Sequence, residues 1–409
     1  MTNKKILIIG GGNVGLSFAL LLAHQGIHST LLEQNRYPSI NPDDDSEHVH
    51  YLDSRNMALS RRTVQIYQRI GLWQDLQSHA CRIDSIKISE QGSFGKATLN
   101  KHEEKVESFG HVIENRWLGR KLLVAVQNNP RIELLDGTTV THIEQTADNV
   151  TINFDKDHRK QSLTADVLVA CDGQNSPSRQ LLGIGSSFYD YGQVGVVGTV
   201  ISDRPHEHIA IERFSPQGLV AVLPLTDSID EHGNTLYRRS VVWVCDKGEE
   251  QAYLQDDKLF LQALQNTFGN QSGIFVQAGR RGAYPLVKVL ADRQVVGRCV
   301  IMGNSAHTLH PVAGQGFNLC MRDADTLAKM LAQQVMLGDD IGDNAMLKSY
   351  EKRRKIDQKR VILFCDSVVH GFTHRNPLIK LVRNVGLIAF DKIPYIKPMV
   401  ATFAMGLKS

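Results

Sequence analysis

The sequence lacks the features of disulfide-rich, membrane-spanning and nucleic-acid-binding proteins. None of its 6 cysteines forms a C-x-x-C pair, which favours buried thiols in a reducing cytoplasm over a disulfide framework. No apolar run is long enough to span a bilayer. A net charge of +3 over 409 residues is too small to predict nucleic-acid binding. The composition is otherwise ordinary for one large globular domain or two closely packed ones.

A glycine-rich turn follows the first apolar run. Residues 6–9 predict a buried parallel strand, 14–25 have helical spacing, and 28–33 predict a second strand. Between the first strand and the helix, G-G-G-N-V-G fits G-x-G-x-x-G. Such a turn seats a dinucleotide pyrophosphate at the helix N-terminus, where free N–H groups face the phosphates. The candidate cofactor-binding residues here are Gly10, Gly12, Asn13, Val14 and Gly15.

Glu33 supports this interpretation, because it ends the second strand 21 residues after Gly12. An acid at that position accepts hydrogen bonds from the adenosine ribose hydroxyls. The alternative, a glycine turn without a ligand, is therefore less favoured. The motif does not by itself distinguish NAD from FAD.

The rest of the chain predicts a second, sheet-rich domain. Helices are expected over 57–70, 258–268 and 316–334, and buried strands over 161–170 and 295–302. Strands in series at 195–201, 209–214, 219–223 and 240–244 indicate an antiparallel sheet. We therefore expect a discontinuous nucleotide-binding domain (1–75, 105–180 and 280–350), a substrate domain (76–104 and 181–279) and a C-terminal helical segment (351–409).

Two later segments resemble the flavoprotein aromatic hydroxylases. Residues 172–179, D-G-Q-N-S-P-S-R, resemble the family's D-G-x-x-S-x-x-R element, which is linked to flavin and NAD(P)H binding. Residues 303–318 resemble the segment that contacts the ribityl chain and, through P-x-x-G-Q-G-x-N, wraps the isoalloxazine edge. The resemblance implies FAD as the cofactor, bound by Asp172, Gly173, Gly303, Asn304, Pro311, Gly314, Gln315, Gly316 and Asn318.

Shorter segments extend the resemblance over nearly the whole chain. Arg55, within 52–60, matches an arginine near the FAD phosphates, and Asn115 matches an amide that meets the ribityl chain. Segments 214–218, 223–225, 284–286 and 383–387 also fit. Individually each has a simpler interpretation; Arg55, for example, could be a surface charge. Together they imply an α/β fold: a Rossmann-like FAD-binding domain of the p-hydroxybenzoate hydroxylase type with an inserted antiparallel β-sheet substrate domain.

One departure from the family pattern narrows the substrate. Gly303-Asn304 stands where most of the family has Gly-Asp, and this pair, like N-L-C-M-R-D at 318–323, resembles the branch that hydroxylates 2-octaprenyl-6-methoxyphenol in ubiquinone biosynthesis. The resemblance implies a monooxygenase that uses NAD(P)H and O₂ to hydroxylate a polyprenyl phenol through a flavin C4a-hydroperoxide. The alternatives are a hydroxylase of a small soluble aromatic and a non-catalytic prenyl-binding protein on the same fold.

No catalytic residue and no metal site are predicted. His307 and His310 have ligand-like spacing but no Cys or acid close in sequence, and His48 and His50 lie in an acidic loop expected to be solvated. The K-R-R-K run at 352–355 indicates a solvated helix face, with attraction to a membrane surface as the alternative. Residues 386–406 could lie on a membrane, face a partner of a ubiquinone-pathway complex, or pack on the domain. We expect a cytoplasmic protein, with peripheral contact at the inner face of the membrane as the further option.

Overall fold

A computed structural model describes residues 5–38, 55–93, 95–215, 218–373, 386 and 396–407. The acidic loop with His48 and His50 lies outside the described residues. So do residues 52–54, 216, 217, 383–385 and 387 of the segments that carry the family resemblance.

The strands are β1 Lys5–Ile9, β2 His28–Leu32, β3 Asn56–Ser60, β4 Ala80–Ile83, β5 Ser85–Glu90, β6 Lys96–Asn100, β7 Gly110–Glu114, β8 Ile132–Leu135, β9 Thr138–Gln145, β10 Val150–Lys156, β11 Arg159–Ala165, β12 Val167–Ala170, β13 Ser186–Ser202, β14 Ile209–Ser215, β15 Gly218–Pro224, β16 Ser228–Ile229, β17 Thr235–Asp246, β18 Phe275–Ala291, β19 Val295–Val296, β20 Cys299–Ile301 and β21 His307–Thr308. The helices are α1 Asn13–His24, α2 Arg61–Arg69, α3 Trp73–Leu76, α4 Asn115–Gln127, α5 Pro177–Leu181, α6 Glu250–Gln255, α7 Asp257–Phe268, α8 Gln315–Leu337, α9 Asn344–Thr373 and α10 Ile396–Ala404.

The first layer is a largely parallel sheet of order β19-β20-β12-β1-β2-β8. Side chains alternate across a strand, so Ile6 and Ile8 of β1 face one side and Leu7 and Ile9 the other. The first pair packs in a core with α1, α4 and α8. The second pair packs against the small sheet β9-β10-β11. Burial on both faces explains why β1 is a continuous apolar run.

The second layer is a large sheet of order β21-β18-β13-β17-β15-β14-β5-β6, with β16 on β17. It is antiparallel except for the parallel pair β14–β5. Its outer face packs Val196 and Trp243 against Phe260 of α7. Its inner face meets β3, where Asn56 Nδ2 donates to Ser240 Oγ at 2.9 Å. A second three-stranded sheet has the order β3-β7-β4.

The prediction of a helix over 57–70 is wrong in its first part. Residues 56–60 form β3, which pairs antiparallel with β7. The helix begins only after Ser60, whose Oγ accepts a hydrogen bond from Thr63 N at 3.3 Å. Pairing with a strand distant in sequence thus overrides the local helical pattern.

Each of two strands predicted from the sequence is divided into two shorter strands in the structure. The run 161–170 breaks at Asp166, whose carboxylate accepts a 2.7 Å hydrogen bond from Lys5 N, so β11 and β12 belong to different sheets. The run 295–302 is the hairpin β19–β20, which turns at Gly297 with φ +56°. Strand β18 also crosses the expected domain boundary at residue 280, and the division into domains stays a prediction.

Within the described ranges, no helix combines the length and the apolar character needed to cross a membrane.

Candidate cofactor and active site

The glycine turn between β1 and α1 has no room for a side chain where the backbone packs closely, at Gly10 and Gly15. It leaves free space at Gly12, where a ligand would lie. Gly10 has φ +102°, and a Cβ there would lie 2.5 Å from the Cys171 carbonyl oxygen. A Cβ on Gly15 would lie 1.9 Å from the Gly10 oxygen. A Cβ on Gly12, in contrast, would meet nothing within 4 Å. Gly12 caps α1 without a side-chain hydrogen bond, so the first N–H groups of α1 remain for phosphate oxygens.

Glu33 lies beside this turn, as the sequence predicts. Its Oε2 accepts a 2.6 Å hydrogen bond from Gly11 N, and its Oε1 accepts one of 3.0 Å from Asn35 N. The Tyr37 hydroxyl donates to the Gly11 carbonyl at 2.5 Å. Tyr37 was not found by sequence reasoning, because a lone tyrosine after the strand carries no motif. These contacts fix the turn and hold the Glu33 carboxylate at the ribose end of the expected cofactor.

Three predicted residues from separate segments meet at the start of α1. Asn13 Nδ2 donates to Asn115 Oδ1 at 2.5 Å, and Asn115 N donates to the Arg55 carbonyl at 2.9 Å. The Arg55 guanidinium lies over the ring of Tyr284, 4.6 Å from its centroid. Tyr284 of β18 therefore joins the site from the large sheet and orients Arg55 through a cation–π contact.

The D-G-x-x-S-x-x-R element holds the turn at 303–305. Asp172 Oδ1 accepts hydrogen bonds from Ser176 Oγ at 2.5 Å and Ser305 Oγ at 2.9 Å, while Oδ2 accepts from Ser178 N at 2.9 Å. The buried Arg179 donates through Nη1 to the Ser305 carbonyl at 3.0 Å. Asp172 thus has a structural role in addition to any contact with the cofactor. Gly173, with φ +88°, makes the turn that follows it.

The turn at 303–305 packs closely against the start of α1. Gly303 has φ +71°, and a Cβ there would lie 3.3 Å from Val14 Cγ1. Asn304 is exposed. The turn therefore brings Gly303, Asn304 and Val14 together at the N-terminal end of α1, where the sequence predicts the cofactor.

The 311–318 bend leads into α8 and leaves its N-terminus open. Pro311 has φ −69°, Gly314 has φ +58° and caps α8 without a side-chain hydrogen bond, and a Cβ on Gly316 would meet nothing within 4 Å. Gln315 is buried. An uncapped helix N-terminus next to a Gly-rich bend suits the developing negative charge of a reduced flavin.

Asn318 holds this bend against β3 and α2. Its Oδ1 accepts from Ser60 N at 2.8 Å and Thr63 Oγ1 at 2.7 Å. Its Nδ2 donates to the Ala58 and Gly314 carbonyls, each at 2.8 Å. Because these bonds use all four hydrogen-bonding positions of the amide, the side chain fixes the bend. Its expected contact with the cofactor stays a prediction.

His307 has an acid partner that sequence proximity did not reveal. Its Nε2 lies 2.7 Å from Asp323 Oδ2, and Asp323 Oδ1 accepts from Arg354 Nε at 2.5 Å. Arg354 is 3% exposed, so the expectation of a solvated face is wrong for this residue of the K-R-R-K run. Burial lowers the pKa of His310 to about 4, so its imidazole is neutral at pH 7. Neither ring nitrogen of His310 has a hydrogen-bond partner among the described residues.

A second group of potential ligands, Cys81, His206 and His208, comes from β4 and the segment just before β14. Their ligand atoms lie within 4.8 Å of one another, beside a cavity of about 750 Å³. His208 N donates to His206 Nδ1 at 3.0 Å, so the proton of His206 is on Nε2, 2.9 Å from the Leu225 carbonyl. A metal on Nε2 would move that proton to Nδ1, against the His208 N–H. The hydrogen bonds therefore disfavour a metal at this cluster.

Comparison with known proteins decides the family. Residues 3–364 match the model of the family described as FAD binding domain. The chain is an FAD-dependent monooxygenase of this family. It is 30% identical to the ubiquinone hydroxylase UbiL of Rhodospirillum rubrum, over 98% of this chain and 89% of that protein. It is 27% identical to the 3-demethoxyubiquinol 3-hydroxylase of Escherichia coli, over the full length of both.

Solved structures confirm the expected fold. The p-nitrophenol 4-monooxygenase of Pseudomonas putida superposes with a TM-score of 0.76 at 18% identity, over 99% of this chain and 100% of that one. HpxO of Klebsiella pneumoniae, complexed with FAD and uric acid, gives a TM-score of 0.75 at 19% identity, over 99% and 97%. FAD, inferred from the resemblance, is the cofactor of this enzyme, and its fold is that of the flavoprotein aromatic hydroxylases.

Proposed function

We propose that this monooxygenase hydroxylates the ring of a polyprenyl phenol in ubiquinone biosynthesis, with NAD(P)H as electron donor and O₂ as oxidant. The observation that carries the proposal is the end-to-end match to two proteins named for ubiquinone-ring hydroxylation, one at 30% identity. The Gly303-Asn304 pair and the N-L-C-M-R-D run point to the same branch.

The residues described above suit the parts of FAD. In this proposal the N-terminus of α1 and Gly12 hold the pyrophosphate, Glu33 the ribose, and Arg55 the phosphates. Asn115, Asp172 and the 303–304 turn hold the ribityl chain, and the bend from Pro311 to Gly316 borders the isoalloxazine. When bound there, FAD would pass electrons from NAD(P)H to O₂, so that one oxygen atom of O₂ could be delivered to the ring. The protein orients the phenol and excludes water.

Lipid analysis of a deletion strain tests the proposal. Deleting the gene should deplete ubiquinone and accumulate a methoxylated octaprenyl phenol, measured by mass spectrometry of a lipid extract. Wild-type protein supplied in trans should restore ubiquinone, whereas a variant that does not retain FAD should not. Normal ubiquinone in the deletion strain would contradict the proposal. If the enzyme turned over simple phenolic acids but not prenylated phenols, it would instead be a hydroxylase of a small soluble aromatic.

The hydrophobicity of a polyprenyl substrate leads us to propose peripheral contact with the membrane through one side of α9. Lys352, Lys355, Ile356, Lys359 and Leu363 recur at helical spacing and are exposed, Leu363 at 68% and Ile356 at 56%. We call these five residues the basic face of α9. Lysines around two exposed apolar side chains match an anionic lipid surface.

The C-terminal helix supports this choice of surface. In α10, Ala401 and Met405 just beyond it pack in a core with Ile83 and Val112. Lys397 Nζ also lies 3.5 Å from Glu103 Oε2. Part of the described segment thus packs on the protein, which is the simplest of the interpretations that the sequence left open, while Pro398 and Met399 are exposed.

Vesicle binding tests the basic face of α9. K355E/K359E should weaken sedimentation with phosphatidylglycerol vesicles by about 10-fold or more, since each basic residue near the surface contributes about 1 kcal/mol. The control K247E/K258E makes the same change in net charge on exposed residues elsewhere and should bind like wild type. Equal losses in both variants would contradict this surface. Unchanged FAD content would show that both variants are folded.

A further inference from the structure

The inner face of the large sheet carries a carboxylate that the cofactor site does not use. On β14, Ile211 packs on the outer face with Phe260 of α7. Since side chains alternate along a strand, Ala210, Glu212 and Phe214 face inward. Phe214 confirms this direction, because it packs with Val312 of the bend that precedes α8. Glu212 therefore faces the same side as the expected flavin.

The neighbours of Glu212 on this face are apolar. It pairs with Ala221 on β15 and Ile88 on β5, and Ala221 in turn pairs with Val242 on β17. Among the described residues, none donates a hydrogen bond to its carboxylate or forms an ion pair with it. Glu212 nevertheless keeps partial exposure, which shows that its side chain borders open space and is not closed in by packing. Burial raises the pKa of its carboxyl to about 7.

Other ionisable groups on the facing elements are few. On β5 the inward position level with Phe214 is Glu90, and the bend before α8 contributes His310, which is neutral at pH 7. The inward positions of β15 are Leu219, Ala221 and Leu223, none of them ionisable. Glu212 is thus the one carboxylate that the centre of β14 and β15 presents to the cofactor side.

We propose that the Glu212 carboxylate accepts the hydroxyl proton of the phenol substrate. This role rests on the hydroxylase function proposed above. As the ring carbon bonds to the transferred oxygen, the phenol O–H bond breaks, its proton passes to Glu212 Oε and its electron pair forms a ring carbonyl. Loss of the C–H proton of the hydroxylated carbon to water restores the aromatic ring, and the ring oxygen recovers a proton from Glu212, which is ionised again. NAD(P)H supplies the two electrons that allow the O–O bond to break, and the second oxygen atom of O₂ leaves as water.

A base in this position must be ionised before turnover, which sets the sign of the pH dependence. Because protonated Glu212 cannot accept a proton, kcat should fall as the pH falls through about 7. The isosteric E212Q should lower kcat by about 100-fold or more and lose this acid limb. E212D should keep the limb with an intermediate kcat. E207Q, the same change at an exposed residue just before β14, is the matched control.

The test uses the FAD-loaded enzyme with 2-prenyl-6-methoxyphenol as the probe. Flavin absorbance reports folding and cofactor binding, and the ultraviolet difference spectrum of the bound phenol reports its ionisation without turnover. Because the proton moves only as oxygen is transferred, we expect wild-type protein, E207Q and E212Q all to bind the phenol in its un-ionised form, so that the loss in E212Q appears in kcat and not in phenol binding. E212Q with wild-type kcat and acid limb would overturn the role of Glu212 and leave the hydroxylase intact. A wild-type kcat that stays constant between about pH 6 and about pH 8 would also overturn the role of Glu212, whether or not E212Q retains FAD. A wild-type enzyme that oxidises no prenylated phenol would instead refute the proposed function itself.

Discussion

Asn13 and Asn115, 102 residues apart, share a 2.5 Å hydrogen bond from Nδ2 to Oδ1 at the N-terminal ends of α1 and α4. The bond fixes the orientation of both amides, because Asn115 must turn its oxygen towards Asn13. Its own Nδ2 group then remains as a donor, and no described residue accepts from it. A donor held in this way at the start of α1 suits a ribityl hydroxyl or a phosphate oxygen.

Replacing Asn115 should therefore weaken FAD binding more than folding. We expect N115A to raise the Kd for FAD by about 10-fold, because it removes one hydrogen bond to the cofactor and releases Asn13. Titration of apoprotein with FAD, followed by quenching of flavin fluorescence, measures the effect. N128A, an exposed asparagine just after the same helix, should bind FAD like wild type. Equal affinity in N115A would show that the amide does not reach the cofactor.

The glycines of the first turn should separate folding from cofactor binding. In G15A the new Cβ would collide with the Gly10 carbonyl at 1.9 Å, which should cost at least about 3 kcal/mol of unfolding free energy. In G12A the Cβ meets no protein atom within 4 Å, and φ −69° with ψ 177° suits alanine. G12A should therefore unfold within about 1 kcal/mol of wild type yet bind FAD at least about 10-fold more weakly.

Urea unfolding of the apoproteins and the ratio of flavin to protein absorbance after purification measure these two effects. Each variant controls for the other. A G12A protein that holds FAD as tightly as wild type would place the pyrophosphate elsewhere.

Local signals made the first β–α–β unit predictable. In β1 and α1 the apolar pattern, the glycine spacing and the acid at the end of β2 all concern residues close in sequence. The segment 303–318 was identified by its resemblance to the flavoprotein aromatic hydroxylases, and its Pro and Gly residues are consistent with a bend because they act on the backbone at their own positions.

Distant partners explain what the sequence did not reveal. Residues 56–60 form a strand because of β7, more than 40 residues later. The Asn318 side-chain oxygen accepts a hydrogen bond from Ser60 N, 258 residues away, and no spacing rule indicates such a contact. Arg354 has the sequence context of a surface helix and is buried by its partner Asp323. Glu212 has no motif at all, and only the direction of β14 relative to α8 marks it.

The buried ion pairs behind the 303–318 segment should dominate the effect of mutations in α9. Arg354 Nε donates to Asp323 and its Nη2 to Asp357, both at 2.5 Å. R354M leaves two buried carboxylates without this partner and should lower the unfolding free energy by about 3–5 kcal/mol, measured by urea denaturation. The neighbouring exposed Arg353 is the control, and R353M should cost under about 0.5 kcal/mol. Similar costs for both would contradict the buried network.

The same network should add an acid-labile contribution to stability. Burial alone would raise the pKa of Asp323, but Arg354 and His307 lower it overall from its usual 3.8. The depressed pKa means that the stabilisation is complete above about pH 4 and is lost as the pH falls through the lower folded value. As the pH falls from about 5 to about 3, the unfolding free energy should decrease less in R354M than in wild type. An equal drop would show that Asp323 is not held ionised by Arg354.

A second pH window, above the first, should come from His310. Burial lowers its folded pKa from 6.5 to about 4, so between these values the unfolded chain binds a proton that the folded protein does not. Unfolding free energy should therefore fall as the pH falls from about 6.5 to about 4, by about 3 kcal/mol at 1.36 kcal/mol per pKa unit. H310L places an apolar side chain beside Phe214 and Val312, and its unfolding free energy should lack the part of the pH dependence that His310 contributes. H232L, in an exposed turn, should keep that pH dependence. His111, whose pKa burial also lowers to about 4, contributes equally in both variants and in wild type. If urea unfolding at intervals across this range gave parallel slopes for H310L and H232L, the pKa of His310 would have to be the same in the folded protein as in the unfolded chain. The bend before α8 would then carry a positive charge below about pH 6.5, beside the position expected for the flavin.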